Sequence, residues 1–153
     1  MKITELFDKV DTLRPNQVRD DIKRSWLSEV EMLLINEVVL THEVPERIRN
    51  HETYIKFLEN EGVGNVYDEK STGELIAQAP YDELYYWWMM SKLDLVERNT
   101  EQYINDSQMY NNIYLTYKQW YNRNHMPLTE TKSFLRGSRR EGYYVPFGNE
   151  SNG

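Results

Sequence analysis

Three observations predict a mainly helical fold for this chain of 153 residues. Apolar residues recur every three or four positions between Val18 and Val38. The same spacing runs through an aromatic-rich stretch, Tyr81 to Tyr121, which holds eight Tyr and three Trp. Helix breakers gather between these segments and again after His125. The expected architecture is a four-helix, antiparallel bundle-like body over residues 1–124. It carries a small β-hairpin insertion at about 65–78 and an extended C-terminal arm over residues 125–153.

The first helix is read from Ile3, Leu6, Phe7, Val10 and Leu13, the i, i+3, i+4, i+7 pattern of an amphipathic helix. Pro15 stops it, because the residue before a proline avoids helical backbone. Asn16 is placed to cap a second helix over about Asn16 to Leu40. Its stripe is Val18, Ile22, Trp26, Val30, Leu34 and Val38, widened by Leu27 and Leu33. Asp20 and Asp21 suit the positive end of the helix dipole. Trp26 is expected to anchor the core.

After Pro45 a short helix is expected at Glu52 to Glu59, ended by Gly62 and Gly64. Asn65-Val66-Tyr67 and Glu74-Leu75-Ile76-Ala77 flank a polar turn that ends in Gly73, which is the hairpin signal. Ala79-Pro80-Tyr81-Asp82 opens the third helix, with Pro80 suited to a first turn. Its run Tyr85-Tyr86-Trp87-Trp88-Met89-Met90 is apolar almost all round, as expected of a helix in the core or against another subunit. The fourth helix runs from Thr100 to Asn124 with Tyr103, Tyr110, Ile113, Tyr114, Tyr117, Trp120 and Tyr121 at helical spacing. Trp26, Tyr81, Tyr85, Trp87, Trp88, Tyr110, Tyr114 and Trp120 are the candidate core and subunit-interface residues.

Composition excludes several classes. There is no cysteine, which removes disulfide scaffolds, thiolate metal sites and Cys nucleophiles. No stretch is apolar enough to span a membrane, and the N-terminus has no secretory h-region. Eighteen Lys and Arg against 25 Asp and Glu give a net charge of -7, which disfavours a broad grip on nucleic acid. The charge is uneven. The arm holds Lys132, Arg136, Arg139 and Arg140 against Glu130, Glu141 and Glu150, so residues 1–124 carry a net charge of -8.

No catalytic motif is present. There is no P-loop, dinucleotide fingerprint, H-E-x-x-H or G-x-S-x-G. Gly62-Val63-Gly64 is too short to cradle phosphate alone. His51-Glu52 has no second His one helical turn away. Glu29 and Glu31 sit two residues apart on the polar side of the second helix and do not face each other. Asp94, Glu97 and Glu101 are expected to form a solvated edge. No enzyme activity, cofactor or metal is expected.

The segment Lys23-Arg24-Ser25-Trp26-Leu27-Ser28-Glu29 and the helix start Pro80-Tyr81-Asp82-Glu83-Leu84-Tyr85 precede Met109-Tyr110-Asn111-Asn112 and Trp120-Tyr121-Asn122-Arg123. In this combination the chain resembles the head–tail connector proteins of tailed bacteriophages and Gram-positive prophages, also called adaptor or head-completion proteins. The resemblance covers residues 3–124. It implies a non-enzymatic virion subunit, made in the host bacterial cytoplasm, that assembles into a ring, commonly of twelve copies. Such a ring sits at the capsid neck, beneath the portal protein and above a tail or stopper protein. DNA passes through its bore without sequence-specific binding. An acidic bore repels the phosphate backbone and lets DNA slide. The resemblance also implies that the arm docks on the portal, through Phe134, Arg136, Arg139, Arg140, Tyr143, Tyr144 and Phe147. The alternative is another non-enzymatic phage assembly or tail-completion protein.

Overall fold

The computed structural model describes residues 1–68, 71 and 73–128. Among the described residues six α-helices are formed: α1 (Ile3–Leu13), α2 (Asp20–Glu37), α3 (Glu46–Arg49), α4 (Glu52–Glu59), α5 (Glu83–Glu97) and α6 (Thr100–Asn124). A 3-10 turn, Val39–Thr41, follows α2. The short α3 was not among the expected elements. It forms because Pro45, in extended backbone, starts a single turn that Asn50 ends.

Helix α1 buries Ile3, Leu6, Phe7 and Val10 of the stripe read from sequence, while Leu13, at its end, is exposed. Its start is closed by the Lys2 amide, which donates to Glu5 Oε1 at 3.2 Å. Asn16 does not cap α2, whose N-cap is Arg19. Its side chain instead accepts from the Val18 amide at 3.1 Å and donates to the Arg14 carbonyl at 3.0 Å, ordering the turn between α1 and α2.

The stripe expected on α2 needs correcting. Residues spaced by four advance about 400° on a helix of 3.6 residues per turn, so the row drifts about 40° per step. Val18 to Val38 therefore wind around the axis. The buried face is Leu27, Val30, Glu31, Leu34 and Ile35, while Ile22 and Leu33 are exposed. Trp26 is half-buried, packed at the edge of the core rather than anchoring it.

Helix α5 lies at the centre, packed against α6, α2 and α1. Leu84, Tyr85, Tyr86, Met89, Met90 and Leu93 are buried, as its all-round apolar sequence requires. Its last turn breaks that rule: Leu95 and Val96 are 53% and 57% exposed. Arg98 then adopts left-handed backbone, with φ of 59°. The Asn99 side chain accepts from the Gln102 amide at 3.2 Å and caps α6. This tight turn folds α6 back along α5.

The β-hairpin does not form. Among the described residues the β-type pairings are isolated bridges, Lys2 with Glu74 and His42 with Pro127. The second run pairs with the N-terminus: the Ile3 amide donates to Gly73 O at 3.3 Å and the Leu75 amide to Met1 O at 3.0 Å. The first run is held by α2, with the Tyr67 amide donating to Ser28 Oγ at 3.2 Å. Side chains on α2 and the backbone of Met1 to Ile3 supply partners that a local turn would otherwise provide.

After α6 the chain is laid against the α2–α3 connection, where the Glu43 amide donates to Met126 O at 2.8 Å. The arm residues Phe134, Arg136, Arg139, Arg140, Tyr143, Tyr144 and Phe147 lie outside the described residues. No helix among the described residues is long and apolar enough to cross a membrane.

Candidate interaction surfaces

Glu31, placed by sequence on the polar side of α2, is fully buried. Tyr85 on α5 donates its hydroxyl to Glu31 Oε1 at 2.5 Å, and Tyr67 donates to Oε2 at 2.6 Å. The Ile76 amide donates to Oε2 at 3.1 Å. Each phenol is itself an acceptor, from the Ala77 amide and from the Thr53 hydroxyl. Burial raises the Glu31 pKa, opposed by these three donors and by the Arg47 charge. Both carboxylate oxygens are taken by buried donors of the chain itself, so the network serves to fix Tyr67, Ile76 and Ala77 in place.

A second buried acid binds α1 to the α5–α6 pair. Asp94, expected on a solvated edge, is fully buried against the Arg14 guanidinium. Arg14 also reaches Glu97 at 2.6 Å and Asp106 at 3.7 Å. Burial and then the Asp106 carboxyl push Asp94 up to about 6, against the pull of Arg14. Lys9 to Glu83 at 2.7 Å and Lys23 to Asp11 at 2.6 Å complete the fastening of α1 to α5 and α2.

The candidate aromatics separate into distinct groups. Tyr85 belongs to the core with Glu31. Trp88 donates its indole N–H to the Trp26 carbonyl at 2.8 Å and meets Tyr110 at 5.1 Å, which stacks on Tyr114 at 5.7 Å. Tyr114 in turn donates to Glu37. Lys92 lies over the Trp88 ring at 4.8 Å. Tyr81 and Trp120, 5.4 Å apart, form a separate group with Tyr117. Trp87 stands apart from both, edge-on to Tyr86 at 5.0 Å. Burial pushes the Tyr121 phenol up to about 12.

The surface that sequence reading missed is the outer face of α6. Ile104, Gln108, Asn111, Leu115, Gln119 and Asn122 follow i, i+4, i+7 spacing along one line, and all are exposed. No exposed residue from Gln102 to Asn122 is charged: Asp106 is buried and Lys118 half-buried. Charged residues make up 28% of the chain, so a charge-free strip of this length is notable. The signal was available in the Asn and Gln content of the helix, but the Tyr stripe on its opposite side masked it.

His51 accepts from the Thr53 amide at 3.2 Å and caps α4. Among the described residues no group of three or more His, Asp or Glu is placed to hold a metal ion. Comparison with known protein families, with curated proteins and with solved structures finds no match to this chain.

Proposed function

We propose that this protein is a structural assembly subunit, and specifically a head–tail connector of a tailed phage. In this reading copies associate side to side in a ring under the portal, with a tail or stopper protein below. DNA crosses the bore without being held. The observation that carries the assembly reading is the charge-free outer face of α6. Depletion of charge, with apolar residues at the centre, is the compositional mark of a protein interface. A chain of net charge -7 repels its own copies, and this strip is where two acidic surfaces approach at least cost. The phage assignment rests on the sequence resemblance described above. The arm, residues 125–153, is assigned the portal contact.

The test is a native mass measurement of the purified chain, alone and mixed with portal protein. A ring-sized complex in either sample supports the connector reading. If the chain neither forms nor joins such a complex, the reading fails. A second arm of the experiment deletes residues 129–153. Retained attachment of the shortened chain to portal would overturn the role given to the arm.

A further inference from the structure

A cleft of about 250 Å³ opens between the turn at Pro45, the Ala79–Pro80 segment and the C-terminal end of α6. Its chemistry differs from the rest of the surface. Among the described residues no Asp or Glu lines this cleft, in a chain with 25 acidic residues. Its polar groups are Arg47, Gln78, His125 and the phenols of Tyr117 and Tyr121. Trp120 and Tyr81, with rings tilted by 35°, form an aromatic wall.

Two of these groups have unused hydrogen-bonding capacity. Arg47 is exposed, donates one Nη2–H to the Ile76 carbonyl at 2.9 Å, and has no ion-pair partner among the described residues. Its remaining N–H donors are available. Its charge is felt nearby: burial and then Arg47 lower the His51 pKa. Tyr121 is 1% exposed, and its buried hydroxyl has no hydrogen-bond partner among the described residues. Such an orphan calls for an explanation, because buried hydroxyls are nearly always paired. Arg47 and Tyr121 line the same cleft, and the Arg47 charge opposes the burial that raises this hydroxyl. His125 stacks on the Tyr121 ring at 3.7 Å and donates Nδ1–H to the Tyr121 carbonyl at 3.0 Å, closing one side.

We infer that this cleft binds a single carboxylate presented by a segment of a partner protein. The carboxylate pairs with the free edge of the Arg47 guanidinium and accepts from the Tyr121 hydroxyl, while the stem that bears it lies on the Tyr81–Trp120 wall. An Arg fork matches a carboxylate with two parallel hydrogen bonds. The volume suits a side chain and lies below the roughly 300–1,000 Å³ usual for pockets that take drug-sized ligands. A polyphosphate strand is disfavoured, since its other charges would face a surface of net charge -7. The inference is independent of the phage reading, because any partner with an exposed acid on an extended segment suits the site.

The test is an amide and indole NMR titration of the full chain. The probes are acetyl-Ala-Glu-Ala-amide, its Gln counterpart, acetyl-Ala-Ala-Ala with a free terminal carboxylate, and inorganic phosphate. Shifts are expected at Gln78, the Trp120 indole and His125 with one or both carboxylate peptides. The two carboxylate peptides separate a side-chain source from a chain terminus. The Gln peptide is expected to bind at least about tenfold more weakly. Arg47→Met should abolish the shifts, Arg47→Lys should retain part of them, and Tyr121→Phe should weaken binding with an unchanged melting transition. Equal titration by the Glu and Gln peptides, no response to either carboxylate peptide at millimolar concentration, or tighter binding of phosphate would each overturn the assignment.

Discussion

Tyr85 donates a hydrogen bond to the buried carboxylate of Glu31 across 54 positions of sequence. This contact joins the central helix α5 to α2, and through the carboxylate and the phenol the two helices hold Tyr67, Ile76 and Ala77. Glu31→Leu removes the acceptor and leaves three donors unpaired in the core. It is expected to cost about 3–5 kcal/mol. Glu31→Gln keeps one oxygen for Tyr67 and Ile76 and sets an amide N–H against the Tyr85 oxygen. Its expected cost is about 1–2 kcal/mol. Urea denaturation of both variants measures the difference. Equal losses would show that the acceptor pattern is not what matters.

Asp94 gives a pH dependence of defined sign. Its folded value, about 6, lies above the ordinary 3.8. Between these values the folded state keeps a proton that the unfolded state has released. This group therefore favours folding at low pH, and that contribution is lost as pH rises toward 6. Over the window it amounts to up to about 3 kcal/mol. The stability of the native chain relative to Asp94→Asn should fall between about pH 4 and pH 6. Denaturant titrations of the two proteins across that range test it. Asp106→Asn should shift the Asp94 carboxyl signal to a lower titration point, because Asp106 is the largest raising influence after burial.

Arg98 ends α5 in left-handed backbone that a side chain resists. Glycine is the usual occupant of this position. Arg98→Gly is expected to stabilise the chain by about 0.5–1 kcal/mol, the relief of strain exceeding the entropy that glycine adds to the unfolded state. A rise in the melting temperature checks it.

The α6 strip separates folding from assembly. Leu115 is 54% exposed and lies in the middle of the line. Leu115→Glu should change stability by no more than about 0.5 kcal/mol. Placing a like charge between acidic copies should nevertheless abolish ring formation or joining, as such contacts cost several kcal/mol. Native mass measurement paired with thermal melting tests both halves. Unimpaired assembly would remove α6 from the interface.

The long helices were legible because their evidence is local. Ile3, Leu6, Phe7 and Val10 repeat on one face and Pro15 follows, so α1 could be bounded from sequence alone. Thr100 to Asn124 was equally clear. The buried acids were not, because what makes an acid buriable lies far away. Glu31 depends on Tyr67 and Tyr85, and Asp94 depends on Arg14, eighty positions earlier. The hairpin misreading has the same origin. Its two runs look paired only until Ser28 and Glu31 on α2 and the backbone of the N-terminus compete for them. The cleft was hidden for another reason: Arg47, Gln78 and Tyr121 come from three separate parts of the chain, none of which carries a motif.

The Glu31 network also has a dynamic consequence. The amides of Ile76 and Ala77 lie in a stretch without helix or strand, where fast solvent exchange is the usual behaviour. Both are fully buried, and they donate to Glu31 and to the Tyr85 hydroxyl, groups that belong to two different helices. Neither amide can meet deuterium until α2 and α5 part. Their exchange should therefore report the opening of the whole body, with protection equal to that of the slowest amides in α5.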